Sequence, residues 1–416
     1  MSDRRHRILI LGGGIAGLEL ATRLGRARRR NALDVTLADR NLVHVWKPML
    51  HTFATGMARL GRQEVGFRAH AAENGYRFAP GELVALDRTA RNAVLAPLAG
   101  RPERVAIAYD ALVLAVGSRA NDFGTPGVAQ HCATIDDLAD AETFHARFRD
   151  TLIEAHATGK PVHVAIVGGG ATGVELAAEI KQAADRLSAL HQGAPVTLSL
   201  IETGDRLLPH FPASISASAT RTLTALGVAV RTKTKVVSAD AQGFTIDGGD
   251  RIAATLPVWA AGVKAPGVLD GLGLPRSKTG QIEVGSDLRA TGDPAVFALG
   301  DCARCTDEAG QTVPATAQAA REQAIYLARH LDGALAGAQV PAFRYRDRGA
   351  VVALGDYNGW GTLGRYQFGG ALRGLTARTL HALLYRRHQF EVLGVRRGLL
   401  TWIADTLEGA AGSRLL

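Results

Sequence analysis

Two short glycine-rich segments of the chain carry a spacing that suits phosphate binding. The first is Gly12-Gly-Gly-Ile-Ala-Gly17 and the second is Gly168-Gly-Gly-Ala-Thr-Gly173, and both follow the pattern G-x-G-x-x-G. The first glycine of such a turn allows a sharp bend, the second lets backbone N–H groups approach an anion, and the third lets the following helix pack closely on the strand. The spacing therefore predicts two sites for the pyrophosphate of a dinucleotide.

An acidic residue follows each glycine segment at the end of a second apolar run. Asp39 lies 22 residues beyond Gly17, and Glu202 lies 29 residues beyond Gly173. A carboxylate at this place accepts hydrogen bonds from ribose hydroxyls and repels the 2′-phosphate of NADPH. We therefore expect Asp39 and Glu202 to bind the two riboses, and NADH to be preferred over NADPH. Arg206 leaves an alternative open, since it could soften that preference or be an ordinary surface arginine.

Each glycine turn needs a strand before it and a helix after it. Apolar runs at 7–11 and 162–167 predict the strands, and the patterns after each turn predict the helices of two βαβ units. The seven additional residues before Glu202 correspond to about two helical turns. The fold class is therefore α/β, with two Rossmann-like dinucleotide-binding domains. Other predicted elements are helices at 213–226 and 314–332, strands at 81–87, 92–98, 105–108, 228–231, 236–239 and 244–247, strand and turn structure from 349 to about 364, and amphipathic helix after that.

Length and composition limit the class of protein. A chain of 416 residues that is 47% hydrophobic predicts two or three domains and excludes a disordered or fibrous chain. Three cysteines are too few for a disulfide scaffold and favour a reducing compartment. No apolar run reaches the ~18 residues of a spanning helix, and no secretory signal is expected. The net charge of +9 predicts an anionic partner, such as a cofactor, a membrane surface or nucleic acid.

Two further motifs resemble those of the flavoproteins with two dinucleotide-binding domains. They are Tyr109-Asp-Ala-Leu-Val-Leu-Ala-Val-Gly117 and Val296-Phe-Ala-Leu-Gly-Asp301. Four segments then resemble one family among them, the type II NADH dehydrogenases, which reduce quinone without pumping protons. These segments are Asn41–Gly56, Val258–Lys264, Pro314–Gln323 and Leu384–Gln389. The resemblance covers nearly the whole chain and implies a bound FAD, with NADH as the substrate.

The resemblance also implies which residues serve each ligand. FAD is expected to contact Gly12, Gly14, Ile15, Ala16, Gly17, Asp39, Arg40, Lys47, Val84, Ala115, Gly117, Asp301, Thr316 and Ala317. NADH is expected to contact Gly168, Gly170, Ala171, Thr172, Gly173, Glu175, Glu202, Ala261 and Gly262. The quinone is expected near Gln318 and Gln323. Glu322 stands where many members of the family carry a glutamine, which makes Gln323 the less secure of the two.

Glu175 and Lys47 are the candidate catalytic residues. The resemblance implies that Glu175 lies near the nicotinamide, where a desolvated acid could gate access or relay a proton. The alternative is a carboxylate stabilised by the N-terminus of its helix. A cation at Lys47 would favour an anionic reduced flavin. We interpret His44, His51 and His388 as packing or polar residues, because hydride transfer needs no general base.

The cysteines exclude several relatives of this superfamily. The disulfide reductases carry a redox pair after the first nucleotide unit, whereas residues 40–60 contain no cysteine. The sulfide:quinone oxidoreductases need cysteines near the flavin, and the ranges 160–180 and 340–416 also contain none. Cys302 and Cys305 form a C-x-x-C without a second such pair, so we interpret them as incidental thiols. No metal site is expected.

The last part of the chain is basic and amphipathic. From Trp360 to Leu416 there are eight arginines and three acidic residues. Apolar residues at helical spacing form two stripes, of which one includes Ala377, Leu380, Leu383 and Leu384 and the other Val392, Val395, Leu399, Trp402, Ile403 and Leu407. Such helices could lie in a membrane interface, pack on the protein's own core, or form a dimer contact. No nucleic-acid-binding motif accompanies them.

The sequence therefore predicts a peripheral enzyme on the cytoplasmic face of the cell membrane. It would oxidise NADH through FAD, reduce a membrane quinone, contact an anionic surface through its C-terminal helices and form a homodimer. The predicted domains are 1–120 with 290–340 for FAD, 121–289 for NADH, and 341–416 for membrane association. Two alternatives are a soluble reductase of ferredoxin or rubredoxin, and a redox sensor that holds FAD and NADH with little turnover.

Overall fold

A computed structural model describes residues 6–27, 33–57, 64–96, 103–191, 195–355, 358–363, 366–369, 383 and 386–411. Its strands are β1 (His6–Leu11), β2 (Leu33–Asp39), β3 (Val43–His44), β4 (Val65–Gly66), β5 (Arg77–Pro80), β6 (Glu82–Asp87), β7 (Asn92–Ala96), β8 (Val105–Ala108), β9 (Ala111–Leu114), β10 (Arg119–Ala120), β11 (Val162–Val167), β12 (Val196–Ile201), β13 (Val228–Arg231), β14 (Val236–Asp240), β15 (Gly243–Ile246), β16 (Arg251–Ala253), β17 (Leu256–Trp259), β18 (Val263–Lys264), β19 (Ile282–Val284), β20 (Val296–Ala298), β21 (Ala303–Cys305), β22 (Val351–Leu354), β23 (Asn358–Leu363) and β24 (Tyr366–Gly369).

The described helices lie between and after these strands. They are α1 (Ile15–Ala27), α2 (Leu50–Ala54), α3 (Phe67–Asn74), α4 (Val128–His131), α5 (Leu138–Thr158), α6 (Ala171–His191), α7 (Ala213–Ala225), α8 (Ala317–Leu335) and α9 (Val395–Ala411). Residues 386–393 are also helical. Single 3-10 turns occur at Lys47–Met49, Gly267–Leu269 and Gly300–Cys302.

The first glycine segment follows the central strand of a parallel sheet with the order β20-β9-β1-β2-β5. The side chains of β9 and of residues 8–11 in β1 are all buried. A parallel sheet is covered on both faces, which explains why these strands are continuous apolar runs without alternation. Since β2 and β9 lie on opposite sides of β1, the carboxyl end of β1 opens into the crevice where such sheets bind ligands. This sheet, with α1, α3 and α8, is called the first unit.

The second glycine segment repeats this arrangement in a parallel sheet with the order β13-β12-β11-β17. The sheet, with α5, α6 and α7, is called the second unit. Its helix α6 has 21 residues, whereas α1 has 13, so the additional residues before Glu202 lengthen the helix by about two turns as predicted. The predicted strands and helices between 81 and 335 are also confirmed, with ends that differ by at most three residues.

Smaller sheets surround the two units. Three antiparallel sheets have the orders β6-β7-β8, β14-β15-β16 and β22-β23-β24, and three strand pairs are β3 with β4, β10 with β18, and β19 with β21. The pair of β10 and β18 places Arg119 opposite Lys264 and so joins the two units. Because β10 follows β9 of the first unit and β18 follows β17 of the second, this pairing holds the carboxyl ends of the two sheets together.

The packing differs from the predicted domain boundaries in two places. Leu269, Leu272 and Leu274 pack with β9 and β20 of the first unit, although the segment was assigned to the second. Phe343 and Val392 enter the core of the first unit, while Val352, Leu354 and Trp360 enter that of the second. Described residues of the range 341–416 therefore contribute to the cores of both units.

Helix α9 presents an apolar face to solvent. Val395, Leu399, Leu400, Ile403 and Leu407 are between 47% and 74% exposed, and Trp402 is 42% exposed. Val392 is the member of the predicted stripe that is buried, at 1%. Ala377, Leu380 and Leu384 of the other predicted stripe lie outside the described residues. Among the helices that the structure describes, none combines the length and the apolar character needed to cross a membrane.

Candidate functional site

In the first glycine turn, Gly12 and Gly17 pack against protein backbone, whereas Gly14 faces open space. Gly12 has a φ of +103°, and a Cβ on it would lie 2.4 Å from the carbonyl oxygen of Ala115. A Cβ on Gly17 would lie 1.8 Å from the carbonyl oxygen of Gly12. A Cβ on Gly14 would meet nothing within 4 Å. The space beside Gly14 therefore suits an anion, next to the first residues of α1, Ile15 and Ala16.

The second glycine turn has the same geometry. Gly168 has a φ of +119°, and a Cβ on it would lie 2.6 Å from the carbonyl oxygen of Ala260. A Cβ on Gly173 would lie 2.0 Å from the carbonyl oxygen of Gly168, whereas Gly170 faces open space. Ala171 and Thr172 begin α6 beside that space and are exposed. The structure thus brings together the second set of predicted pyrophosphate contacts.

Two carboxylates hold the turns from the next strand. Asp39 accepts the backbone N–H of Gly13 at 2.6 Å, and Glu202 accepts the backbone N–H of Gly169 at 2.6 Å. The other oxygen of each carboxylate accepts a second N–H, from Asn41 at 2.7 Å and from Gly204 at 2.6 Å. Burial raises the pKa of Asp39. Each oxygen can accept a further hydrogen bond, so both carboxylates remain able to bind ribose.

Arg206 uses its guanidinium within its own loop. It donates to the carbonyl oxygens of Phe211 at 2.9 Å and Pro209 at 2.8 Å. These contacts stabilise the 209–211 segment. They favour the interpretation of Arg206 as a structural arginine.

A cavity of about 640 Å³ extends from the first glycine turn to the second unit. Seven predicted FAD contacts lie in its wall, namely Gly12, Gly14, Asp39, Arg40, Lys47, Ala115 and Gly117. Arg119, Lys264 and Trp259 complete the wall on the side of the second unit. An open phosphate turn, a ribose carboxylate and several cations form a donor set that fits an anionic dinucleotide such as FAD.

Lys47 and Asp301 belong to one hydrogen-bonded group at this cavity. The ammonium of Lys47 donates to the carbonyl oxygen of Ser118 at 2.9 Å, and the hydroxyl of Ser118 donates to Asp301 at 2.7 Å. Gly300 has a φ of +73°, which favours glycine, and it lies beside Ala16 of α1 and Ala320 of α8. The Gly300–Asp301 turn is thereby fixed between two helices.

The other seven predicted FAD contacts are not part of the cavity wall, and they include Val84, Thr316 and Ala317. Thr316 caps α8 by accepting the N–H of Ala319 at 3.2 Å, and Ala317 is the first residue of that helix. The side chain of Val84 is 48% exposed, whereas Leu83 lines the cavity. Glu82 of the same strand also lines the cavity, and the expected contact of Val84 with FAD stays a prediction.

Sequence reasoning missed an ion-pair network across the cavity. Arg40 pairs with Asp137 and lies 3.6 Å from Glu82, and Arg119 lies 3.1 Å from Asp137. Asp137 is also the N-cap of α5 and accepts the N–H of Asp140 at 3.0 Å. Acidic residues just before a helical pattern are an N-cap signal that could have drawn attention to it. Its partners in the first unit cannot be deduced from local sequence.

The loop after β17 closes the cavity from the second unit. Gly262 has a φ of +60°, and its carbonyl oxygen accepts the N–H of Asn121 at 3.3 Å. The indole of Trp259 donates to the carbonyl oxygen of Asn121 at 2.8 Å. Ala261 lies between these two anchored residues. The predicted nicotinamide-side loop is therefore tied to the connection between the two units.

Of the three cysteines, Cys132 lines the cavity, whereas Cys302 and Cys305 do not. Cys302 and Cys305 are free and buried, and Cys132 is free and half-buried. Burial raises the pKa of Cys302 and of Cys305 to about 11 and that of Cys132 to about 12, so all three are poor nucleophiles near neutral pH. Within the described residues no group of three His, Cys, Asp or Glu side chains could hold a metal ion.

Comparison with known proteins agrees with this geometry. Residues 6–324 match the family model for pyridine nucleotide-disulphide oxidoreductases. The chain is 35% identical to the type II NADH:quinone oxidoreductase of Haemophilus influenzae, with 98% of this chain and 99% of the relative covered. It is 31% identical to the demethylphylloquinone reductase of Synechocystis, with 85% and 86% covered. The chain belongs to the type II NADH:quinone oxidoreductases.

A solved structure gives the same fold for this oxidoreductase. The complex of NDH2 from Plasmodium falciparum with NADH superposes with a TM-score of 0.83 at 20% sequence identity. The match covers 94% of this chain and 97% of that one. The α/β architecture with two nucleotide units therefore extends over nearly the full length of the chain.

The glutamines of α8 serve different contacts in this oxidoreductase. Gln323 is 2% exposed, and its amide oxygen accepts the N–H of Gly300 at 2.7 Å. It thus holds the Gly300 turn from inside the protein, and the expected contact of Gln323 with quinone stays a prediction. Gln318 is half-buried and donates to the carbonyl oxygen of Arg346 at 2.7 Å. Glu322 lies 3.1 Å from Arg348, so an arginine compensates the carboxylate that replaces glutamine.

Glu175 is buried and carries a raised pKa. It is 8% exposed, accepts the N–H of Ala353 at 3.1 Å, and lies 3.9 Å from Nδ1 of His51. Burial raises its pKa to about 8, and the neighbouring carboxyl of Glu179 contributes in the same direction. A carboxylate stabilised by the helix terminus would have a lowered pKa. The structure therefore favours an acid that is protonated at neutral pH.

Alanine substitutions at Gly17 and at Gly14 of the first turn are expected to affect the stability of the fold differently. Gly17→Ala places a methyl group on backbone, so we expect the thermal midpoint to fall by several degrees and FAD to be lost. Gly14→Ala meets no protein atom, so we expect the fold to keep its midpoint while the FAD content falls severalfold. Circular dichroism and the ratio of flavin to protein absorbance measure both. Equal thermal midpoints for the two variants would contradict the assignment.

The raised pKa of Glu175 predicts how stability depends on pH. Between its ordinary pKa of 4.5 and its folded value of about 8, the folded state keeps a proton that the unfolded state loses. The stability from this group is full below the lower value and declines as the pH rises. Glu175→Gln removes this dependence. As the pH rises, the free energy of unfolding of the variant should therefore increase relative to that of the wild type by at most about 1.4 kcal/mol per pH unit.

Denaturant unfolding between pH 5 and pH 8 measures this gain. Glu142→Gln, at an exposed position of α5, is the matched control and should follow the wild type throughout. Parallel curves for the wild type and Glu175→Gln would show that Glu175 is ionised in the folded protein.

Proposed function

We propose that this chain oxidises NADH through a bound FAD and passes two electrons to a membrane quinone without pumping protons. The observation that carries the proposal is the pair of complete glycine turns, each with its own ribose carboxylate. One pyridine nucleotide and one flavin nucleotide account for both. Relatives at 35% and 31% identity that are named as quinone reductases support quinone as the acceptor.

The chain's own residues bind and orient the reactants. FAD, when bound, accepts a hydride from NADH and supplies the electrons for quinone. Gly12, Gly14 and Asp39 would hold its pyrophosphate and ribose, and Lys47 would place a positive charge on the flavin side of the cavity. Gly170 and Glu202 would hold NADH, and the carboxylate of Glu202 disfavours a 2′-phosphate. The protein's contribution is placement of two cofactors in one protected crevice.

Glu175 would hold a proton close to the nicotinamide side of the site. Its protonated form at neutral pH follows from burial, and His51 is the nearest titratable partner on α2. Since quinone reduction consumes protons, a buried acid that exchanges its proton near pH 8 suits a relay. Ala353 fixes one of its oxygens from β22, which connects the acid to the C-terminal region.

Gln318 remains the proposed polar contact for quinone. Its amide is fixed from two directions, by the carbonyl oxygen of Arg346 at 2.7 Å and by Glu322 at 3.4 Å. Glu322 in turn binds Arg348 and the backbone N–H of Arg346. Glu322, which stands where many members of the family carry a glutamine, thereby anchors the segment 346–348 beside the proposed quinone entrance.

Helix α9 is the proposed contact with an anionic membrane surface. Its exposed apolar residues are accompanied by Arg396 and Arg397, which suits a helix lying in the interface. Val392 packs in the core of the first unit, whereas the apolar residues of α9 stay exposed, which supports an external partner for α9. We also place the chain on the cytoplasmic face of the cell membrane, peripherally, as a homodimer.

Turnover with different acceptors tests the function. NADH oxidation should proceed with a short-chain quinone, and not with ferredoxin or without an acceptor. Turnover with ferredoxin alone would support a soluble reductase, and negligible turnover with every acceptor would support a redox sensor. The same assay with NADPH should give a kcat/KM at least tenfold lower, because Glu202 stands at the ribose.

Vesicle flotation tests the membrane contact. The double variant Leu400→Asp/Leu407→Asp should lower binding to phosphatidylglycerol vesicles at least tenfold, because it removes apolar area from the exposed face of α9. Ile153→Asp is the matched control, since Ile153 is 61% exposed on α5, away from that face. Equal flotation of both variants would contradict the proposal. Light scattering in detergent measures whether two chains associate.

A further inference from the structure

A segment near the C-terminus docks on the first unit through several polar contacts. The backbone carbonyl of Val392 contacts Nε2 of His70 at 2.8 Å and accepts from Arg26 at 3.3 Å. Glu391 pairs with Arg321 of α8, and Arg397 pairs with Glu73 of α3. The segment 386–397 therefore lies across α1, α3 and α8, the helices that surround the first glycine turn.

One contact of this segment reaches the glycine turn itself through two histidines. Nε2 of His388 lies 2.9 Å from Nε2 of His44, and Nδ1 of His44 lies 2.8 Å from the carbonyl oxygen of Gly13. His44 and His388 are 3% and 9% exposed. The ring of His388 stacks on that of Trp46, with centroids 5.9 Å apart and an angle of 18° between the planes. The pair is thus held rigidly, away from water.

The partners of His44 determine where the protons lie. A carbonyl oxygen can only accept, so Nδ1 of His44 must carry a hydrogen and donate it to Gly13. Burial lowers the pKa of His44 to about 4, and so its other nitrogen, Nε2, has a lone pair and accepts. Nε2 of His388 must then donate. The two rings form a chain of hydrogen bonds that runs from His388 through His44 to Gly13.

This chain of hydrogen bonds ends on the peptide group beside the open space that suits a phosphate. The carbonyl of Gly13 and the N–H of Gly14 belong to the same peptide unit, and Gly14 is the glycine that faces open space. A hydrogen bond to the carbonyl polarises the unit and strengthens its N–H as a donor. The N–H of Gly13 is meanwhile held by Asp39 at 2.6 Å. The turn is therefore anchored on one side by β2 and on the other by His44.

We propose that His388 is a positioning residue for FAD. It would act through His44 to orient and polarise the Gly13–Gly14 peptide, so that the segment carrying α9 contributes to retention of the cofactor. FAD is the dinucleotide that the proposed function places at this turn. Loss of the donor at position 388 should speed release of FAD even when the ring at that position is preserved.

The rate at which FAD leaves the purified holoenzyme tests this role. His388→Phe keeps a ring against Trp46 but has no N–H to donate, and we expect FAD release about tenfold faster than in the wild type. His388→Gln places an amide N–H near the position of Nε2, and its release rate should stay within about twofold of the wild type. Flavin fluorescence after dilution follows the release directly, independently of NADH turnover.

Two further variants separate the histidine chain from general docking. Arg397→Ala breaks another contact of the same segment and should leave FAD release unchanged. The double variant His44→Phe/His388→Phe should release FAD no faster than His44→Phe alone, because both substitutions break one chain. Equal release rates for His388→Phe and His388→Gln, or multiplied effects in the double variant, would overturn the proposal.

Nitrogen-15 spectra of the histidine rings in the holoenzyme give a test that does not depend on the rate of FAD release. We expect the Nδ1–H tautomer for His44 and the Nε2–H tautomer for His388. Acquiring the spectra with and without each single substitution assigns the two signals. A His388 ring that carries its proton on Nδ1 would show that it does not donate to His44, which would also overturn the proposal while leaving the function in NADH oxidation untouched.

Discussion

The packing of glycine backbone against backbone at the carboxyl end of β1 is the constraint on which the site depends. Gly17 allows α1 to approach so closely that a single methyl group would meet the carbonyl of Gly12. Only this approach leaves the N–H groups at the start of α1 facing the cavity. Asp39 then fixes the turn by accepting the N–H of Gly13. Dense packing in the core thus produces a polar, open position at Gly14.

The second unit has the same backbone packing, and the molecule can therefore bind two nucleotides. Gly168, Gly173 and Glu202 hold the second turn as Gly12, Gly17 and Asp39 hold the first. The pairing of β10 with β18 and the contact of Arg40 with Asp137 bring the two units together around one cavity. Two nucleotides that each bind by their phosphates can therefore place their redox-active ends in the same crevice.

The local features of this arrangement were readable from sequence, and the long-range ones were not. Glycine spacing, apolar runs and the acids at 39 and 202 predicted both units, because each depends on residues within about 40 positions of one another. Gln323 binds Gly300 and His388 binds His44, and no local pattern indicates such partners.

The C-terminal region illustrates why length alone does not separate an anchor from a core element. Within one short stretch, Val392 fills the core of the first unit, His388 contacts His44, and Leu400 and Leu407 face solvent. Just before α9, Glu391 pairs with Arg321 and Val392 contacts His70. Helix α9 cannot move against the first unit without breaking these contacts. An interface-bound helix would therefore hold the flavin turn at a fixed depth and orientation relative to the membrane, which is what electron transfer to a lipid-soluble acceptor requires.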